Sequence, residues 1–402
     1  MSERRYKSPD QGEDSTAYPM TQPIQTFRVS PFDPPRGAAG LREEIRDFIK
    51  QHMPPTEAPK RVNSWAVGNR EFSQALGKAG YIGMIWPKRY GGHERHPLER
   101  YIVLEELLAA GAPVGMHWIA DRQTGPLILR YGTEAQKQKF LPRIAAGELY
   151  GCIGMSEPGT GSDLASVRIR AIRDGDGWRV SGQKVWTTNA HNAGLMIALF
   201  RTGEPGGRHE GLSQFLIDLT DPAVTVRPII DLAGGHDFNE VFFDDLFIPG
   251  DMIAGTEGEG WKQVTAELSL ERSGPERYMS CFGLFLELVR IAGPKPDAAM
   301  TNLIGRLSAE LWTLRQMSMS AAAQLAAGND PMLEAAIVKD LGNTFEQELP
   351  RLVQAAVDLD LSGGEDLARM TALLLQITPS FSLRGGTREI LRGIIARNLG
   401  LR

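Results

Sequence analysis

Cysteine is almost missing from this chain: Cys152 and Cys281 are the only two in 402 residues, far apart and without metal-ligand spacing. That excludes a disulfide framework and favours a reducing compartment. Long apolar runs are missing too, and no stretch approaches the roughly 20 residues a membrane helix needs. The opening residues, MSERRYKSPDQGEDSTAYPM, lack the apolar core of a secretory signal and carry acids early, which argues against a transit peptide. The expectation is a cytoplasmic chain without a membrane span. Positive charge is in deficit, with 44 Lys and Arg against 49 Asp and Glu, a net charge of -5. The basic face expected of a nucleic-acid binder is therefore not predicted. Histidines number seven, and none stands in a metal-binding pattern. No metal is expected.

What remains is ordinary globular composition, 42% hydrophobic and 23% charged, in a chain long enough for several packed layers. Residues 1–40 are polar and rich in Pro, Ser and Asp, and read as a flexible arm or strap. From Leu41 the period becomes helical. LREEIRDFIKQHM puts Leu41, Ile45, Phe48, Ile49 and Met53 on one face. SQALGKAGYIGM, ERYIVLEELLAAGAP and GTEAQKQKFLPRIAAGEL predict further helices, with Thr133 as an N-cap for the last. Residues 41–150 thus read as a helical domain.

The period then changes to two. SVRIRA, WRVSGQKVW, LMIALF, QFLIDL, VTVRPII and NEVFFDDLFI read as strands separated by Gly and Pro. Residues 151–255 predict a β-domain, a barrel-like closure or two packed sheets. Helix resumes at Gly260, and LIGRLSAELWTLRQMSMSAAAQLAAG gives one long amphipathic helix ending at Gly328. Residues 256–402 predict a C-terminal domain like a four-helix bundle. The fold class expected is mainly α with a central β-domain.

Four segments carry the candidate chemistry. They are YIGMIWPKRYGG (Tyr81–Gly92), CIGMSEPGTGSD (Cys152–Asp163), GQKVWTTNA (Gly182–Ala190) and RGGTREILRGIIAR, which begins at Arg384. In this order, with the middle pair about twenty residues apart in a β-domain flanked by helices, they resemble the acyl-CoA dehydrogenase family. The similarity runs from about residue 45 to the end and is thin between about 280 and 370. The resemblance implies FAD, bound without a covalent link. It implies an acyl-CoA thioester as substrate, with an electron-transfer flavoprotein as acceptor.

Site residues follow from the same resemblance. Ile153, Met155 and Ser156 would lie along the flavin's polar edge, where fixed donors stabilise charge on the reduced ring. Ser162 would touch cofactor and acyl-CoA, or else close an ST-turn. Trp186 would cover the flavin, with Thr187 and Thr188 beside it. Thr387 and Glu389 would face the cofactor, and Gly386 would let the thioester carbonyl approach a backbone N–H. Thr387 also reads as a helix N-cap.

A base must remove the α-proton while hydride leaves the β-carbon. In much of the family a glutamate fills the position of Gly385. In the branch resembling isovaleryl- and long-chain acyl-CoA dehydrogenases it moves to an earlier helix, immediately before an arginine. Here Glu271–Arg272 matches that placement, within ELSLERSGPER. Glu271 is the expected catalytic base, with Ser269 and Arg272 near the substrate and Glu276 the second choice for base. Arg384 replaces an aromatic residue and, if it faces the pocket, favours a polar or acidic acyl end.

Two family stretches that hold the adenine end of FAD across subunits are missing. The corresponding regions read LELVRIAGPKPDAAM and VQAAVDLDLSGGEDLARM. Two assemblies follow: a homo-oligomer (dimer or tetramer) with a diverged cradle, or a heteromer with a paralogous chain. The alternatives in function are a non-catalytic or half-site subunit, and an acyl-CoA oxidase that uses oxygen directly.

Overall fold

The computed structural model describes residues 27–29, 32, 34–203, 207, 209–270 and 272–401; the side chains of residues 266–270 are outside that description. The chain runs helices, sheets, helices. Helices α1 (Ala38–His52), α2 (Ala58–Arg61), α3 (Arg70–Lys78), α4 (Pro97–Ala109), α5 (Gly125–Tyr131) and α6 (Glu134–Ala145) come first. Strands β1 (Gly151–Gly154), β2 (Ala171–Asp174), β3 (Gly177–Thr188), β4 (Leu195–Arg201), β5 (Leu212–Asp218), β6 (Val224–Ile229) and β7 (Phe238–Pro249) follow. Helices α7 (Gly260–Leu270), α8 (Phe282–Ala292), α9 (Ala298–Ala326), α10 (Met332–Ala356), α11 (Asp366–Ile377) and α12 (Arg388–Asn398) close the chain. No described helix is long and apolar enough to cross a membrane.

Helix starts obey local chemistry. Thr133 caps α6 through a reciprocal box: its hydroxyl accepts from Gln136 N at 3.2 Å, and Gln136 Oε1 accepts from Thr133 N at 3.0 Å. Asn69 and Asp297 cap α3 and α9. Helix α3 stops at Lys78, so the YIGM part of the predicted helix is a turn, opened by Gly80 at φ 79°. That turn wraps Trp86, which is buried.

Leu41, Ile45 and Ile49 of α1 are buried as the helical period requires. They join Leu107 of α4, Leu311 of α9, Leu349 of α10 and Leu374 of α11 in one apolar cluster. The helices before and after the strands therefore share a core, so each buries the face it could not bury alone. A partly buried ion network reinforces it. Arg46 Nε lies 2.7 Å from Glu106 Oε2 on α4, and Arg315 Nε on α9 lies 2.6 Å from Glu105 Oε1.

The strands form two sheets, ordered β1-β4-β5 and β2-β3-β7-β6. They are not a closed barrel among the described residues. Cys152, Met196 and Phe215 from the first sheet and Trp178, Val241 and Phe243 from the second pack together between them. Most of SVRIRA is not strand. Only Ala171 enters β2, because the N–H groups of Arg168 and Ile169 donate to the Glu157 carboxylate, at 2.7 and 3.1 Å. A side chain supplied the acceptor that a neighbouring strand would have offered.

Candidate active site

The loop after β1 is built on a buried ion pair. Lys184 of β3 is fully buried, and its Nζ donates to Glu157 Oε1 and to the Met155 carbonyl, both at 3.0 Å. The Ser156 carbonyl accepts from Val185 N at 3.0 Å. Burial pushes the Lys184 amine down to about 8, against the pull of Glu157. Ile153, Met155 and Ser156 are half-buried on this frame, and Ser162 is exposed farther along the loop.

Between Lys184 and Thr187 the pairing of β3 with β7 slips by a bulge. At the bulge Trp186 takes φ 59° and stays 59% exposed, an unusual place for an indole. It meets Phe238 edge-on at 5.9 Å. Thr187 is fully buried, yet its Oγ1 has no hydrogen-bond partner among the described residues. Thr188 is half-buried. Asn239 supports the bulge by donating from Nδ2 to the Thr187 carbonyl at 3.0 Å. His191 and His236 stack at 3.9 Å and both turn a ring nitrogen toward Asn239 Oδ1. These two histidines are scaffolding for the bulge.

The second half lies at the C-terminal glycines. Gly385 and Gly386 have φ of 66° and 100°, conformations that L-residues with side chains avoid. A Cβ on Gly385 would lie 3.1 Å from Arg277 Nη2 and 3.3 Å from Lys339 Cε. The direction in which a side chain would leave Gly385 is thus occupied by two basic side chains. A Cβ on Gly386 would lie 3.9 Å from Arg272 Nη2. Thr387 is the N-cap of α12, and Glu389 is exposed in the first turn.

Glu271 itself lies outside the described residues, as does the side chain of Ser269 on α7. The structure fixes what flanks them: α7 ends at Leu270, and Arg272 is buried. Glu276 is buried in a 3₁₀ turn (Pro275–Arg277), ion-paired with Arg122 and 3.7 Å from Arg277 Nε. Its carboxylate is already engaged. Arg384 is engaged too. Its Nη2 donates to Ser280 Oγ at 3.0 Å and to Glu346 Oε2 at 3.1 Å, and its guanidinium lies over Trp65 and Phe381. It is a brace, which removes the ground for reading it as the acyl-end selector.

Three polar residues of the site were missed from sequence: Glu157, Lys184 and Lys339. The signal was available in two of them, since Lys184 falls on an inward position of β3 and Lys339 interrupts the apolar run AAIVKDL.

The residues present fit a planar cofactor: an exposed indole, and beside it a buried hydroxyl still wanting a partner. Residues 38–148 match the acyl-CoA dehydrogenase N-terminal domain and residues 152–246 its middle domain. Acyl-CoA dehydrogenase IpdE1 of Mycobacterium tuberculosis is 36% identical over 90% of this chain and 97% of its own. FadE34 of the same organism is 31% identical over 90% of this chain but only 48% of its own length. Among solved structures, the ChsE4-ChsE5 complex from Mycobacterium tuberculosis superposes with TM-score 0.78 at 32% identity, over 93% of this chain and 99% of that one. The steroid ACAD Tcur3481-Tcur3483 gives TM-score 0.80 at 26% identity, over 92% and 97%. With both domain matches, these relatives and the helix–sheet–helix architecture, the chain belongs to the acyl-CoA dehydrogenase family of oxidoreductases.

Proposed function

We propose that the chain oxidises an acyl-CoA thioester to the 2-enoyl-CoA with FAD, and that Glu271 is the base. When bound, FAD supplies the acceptor for hydride from the β-carbon. Trp186, Thr187 and Thr188 would hold and cover it on the β3 bulge, with Met155 and Ser156 along its polar edge and Thr387 and Glu389 at the α12 end. Ile153 and Ser162 would complete the cradle. Glu271 would take the α-proton, Ser269 and Arg272 would flank the substrate, and the Gly386 peptide would face the thioester carbonyl.

The observation that carries the reading is the approach of Arg272 to Gly386, 3.9 Å from the place of a missing Cβ. The side chain of the residue directly after Glu271 thus reaches, through its guanidinium tip, to the turn expected to hold the thioester. The experiment is Glu271→Gln. Loss of turnover by about 10²–10⁴-fold, with FAD retained, is expected of a lost general base. Normal turnover in that variant sinks the assignment.

A second reading has its own support. The side-chain direction at Gly385 is filled by Arg277 and Lys339, and two similar solved structures, the ChsE4-ChsE5 complex and Tcur3481-Tcur3483, each carry the names of two proteins. In it the chain is one half of a heteromer with a paralogous partner. A chain that is colourless alone and yellow only when co-expressed with such a partner favours this reading. Oxygen uptake with thioester present separates an oxidase from a dehydrogenase that passes electrons to an electron-transfer flavoprotein.

A further inference from the structure

Helix α10 turns a polar stripe inward. Lys339, Asn343 and Glu346 are all fully buried, one or two turns apart. Between them, Gly342 lets the helix meet the segment before α8 directly, since a Cβ there would lie 2.1 Å from the Arg277 carbonyl oxygen. From this stripe and its flank, α10 grips the glycine turn in three places. Before the turn, Glu346 holds Arg384. After it, Asp340 accepts from Arg388 Nε at 2.9 Å. In the middle, Lys339 Nζ donates to the carbonyl of Gly386 at 2.8 Å.

The middle contact is of a different kind from the outer two. Arg384 and Arg388 are held by their side chains, so they anchor the ends of the turn. Gly385 and Gly386 have no side chains to anchor, and two consecutive glycines are the least constrained backbone a turn can have. The orientation of the Gly386 peptide depends on a bond to the backbone itself, and Lys339 makes one. We propose that Lys339 is a positioning residue: by holding the Gly386 carbonyl it sets the direction in which this turn presents its N–H groups to the thioester oxygen. The inference rests on the acyl-CoA reading of the turn but not on the identity of the base.

The charges around Lys339 suit that role. Glu346 faces it from its own helix, Arg272 and Arg277 from the segment after α7, and Arg384 from the turn. Burial first, and then the three arginines, push its amine down to about 6. Near neutral pH it is an uncharged donor, which holds a carbonyl without adding a further cation beside the three guanidinium groups. Below about 6 it must accept a proton among them.

The test uses the FAD-loaded protein and reads binding by calorimetry, for octanoyl-CoA and for free CoA, which lacks the acyl group and its thioester carbonyl. Lys339→Met is expected to weaken octanoyl-CoA about ten-fold, the scale of one well-placed hydrogen bond, while free CoA stays within about two-fold. Lys339→Gln keeps an N–H donor and is expected to recover most of the loss. A protonated Lys339 still donates to the carbonyl but adds a fourth cation to the three guanidinium groups, so the pH profile of octanoyl-CoA affinity should bend near 6 in the wild type and not in Lys339→Gln. The phosphates of CoA titrate alike in both proteins and cancel. Equal weakening of thioester and free CoA means a merely structural lysine and overturns the proposal, as does unchanged thioester affinity in Lys339→Met. If Lys339→Met does not fold, the pH comparison between wild type and Lys339→Gln decides, and matching curves overturn it. A wild type that binds the thioester no better than free CoA also overturns it. A wild type that binds octanoyl-CoA but does not oxidise it leaves the proposal standing and counts only against Glu271 as base.

Discussion

Gly385 shows how much one missing side chain can decide. At φ 66°, with Arg277 Nη2 and Lys339 Cε within 3.3 Å of where a Cβ would lie, the position is closed to any L-residue without strain. Gly385→Ala is expected to cost about 1–3 kcal/mol of stability, read by denaturant titration. An unchanged midpoint would mean that the turn relaxes freely. Lys339 adds a pH dependence whose sign follows from protons bound. In the fold its amine holds no proton above about 6, whereas in the unfolded chain it holds one up to the ordinary lysine value of 10.5. Between those values the unfolded state binds more protons, so stability rises with pH across that window and is flat below it. Thermal unfolding of wild type against Lys339→Met should show the variant's relative advantage largest near pH 6 and shrinking as pH rises.

At the scale of elements, most of the helices and strands were legible because their apolar periods are regular. Leu41, Ile45 and Ile49 repeat every four residues and are buried together. Thr133 announced its helix by its place before an apolar repeat. The failures have physical causes. SVRIRA alternates like a strand, but Glu157, eleven and twelve residues before Arg168 and Ile169, captures their amides. YIGM continues a helical pattern, but Gly80 and Gly83 both take positive φ. The candidate motifs were legible as segments, while their scaffolding was not, because Lys184 meets Glu157 only once β1 and β3 have come together. That pair joins the loop after β1 to the sheet, and breaking it leaves Glu157 a buried carboxylate short of its cation. Lys184→Met is expected to cost about 3–5 kcal/mol, the usual scale for removing one partner of a buried pair. FAD should be released at lower temperature than from the wild type. Unaltered melting and retention would show the loop to be held by its backbone alone.

For the whole molecule, sequence indicated three successive regions, and the structure joins the outer two through a common apolar core. Periodicity cannot reveal such a union, since it says which face of a helix is apolar but not which other helix will cover it. The small sheets are tied to the helices by specific hydrogen bonds as well as by packing. Gln136 of α6 donates from Nε2 to the carbonyls of Asp251 and Ile253, at 2.6 and 2.8 Å. The regions expected to hold the adenine end of FAD carry no recognisable stretch in sequence. The first runs from the second half of α8 into the start of α9, and the second from the end of α10 into the first turns of α11.

The backbone contact at Gly342 carries one more consequence. Where two segments touch through side chains, a smaller or larger residue can loosen or tighten the fit by degrees. Here the helix and the turn bearing Arg277 meet carbonyl against Cα, with nothing interposed that mutation could trim. This contact cannot be loosened stepwise by trimming a side chain, so any rearrangement here must shift the backbone of α10 against that turn as a whole.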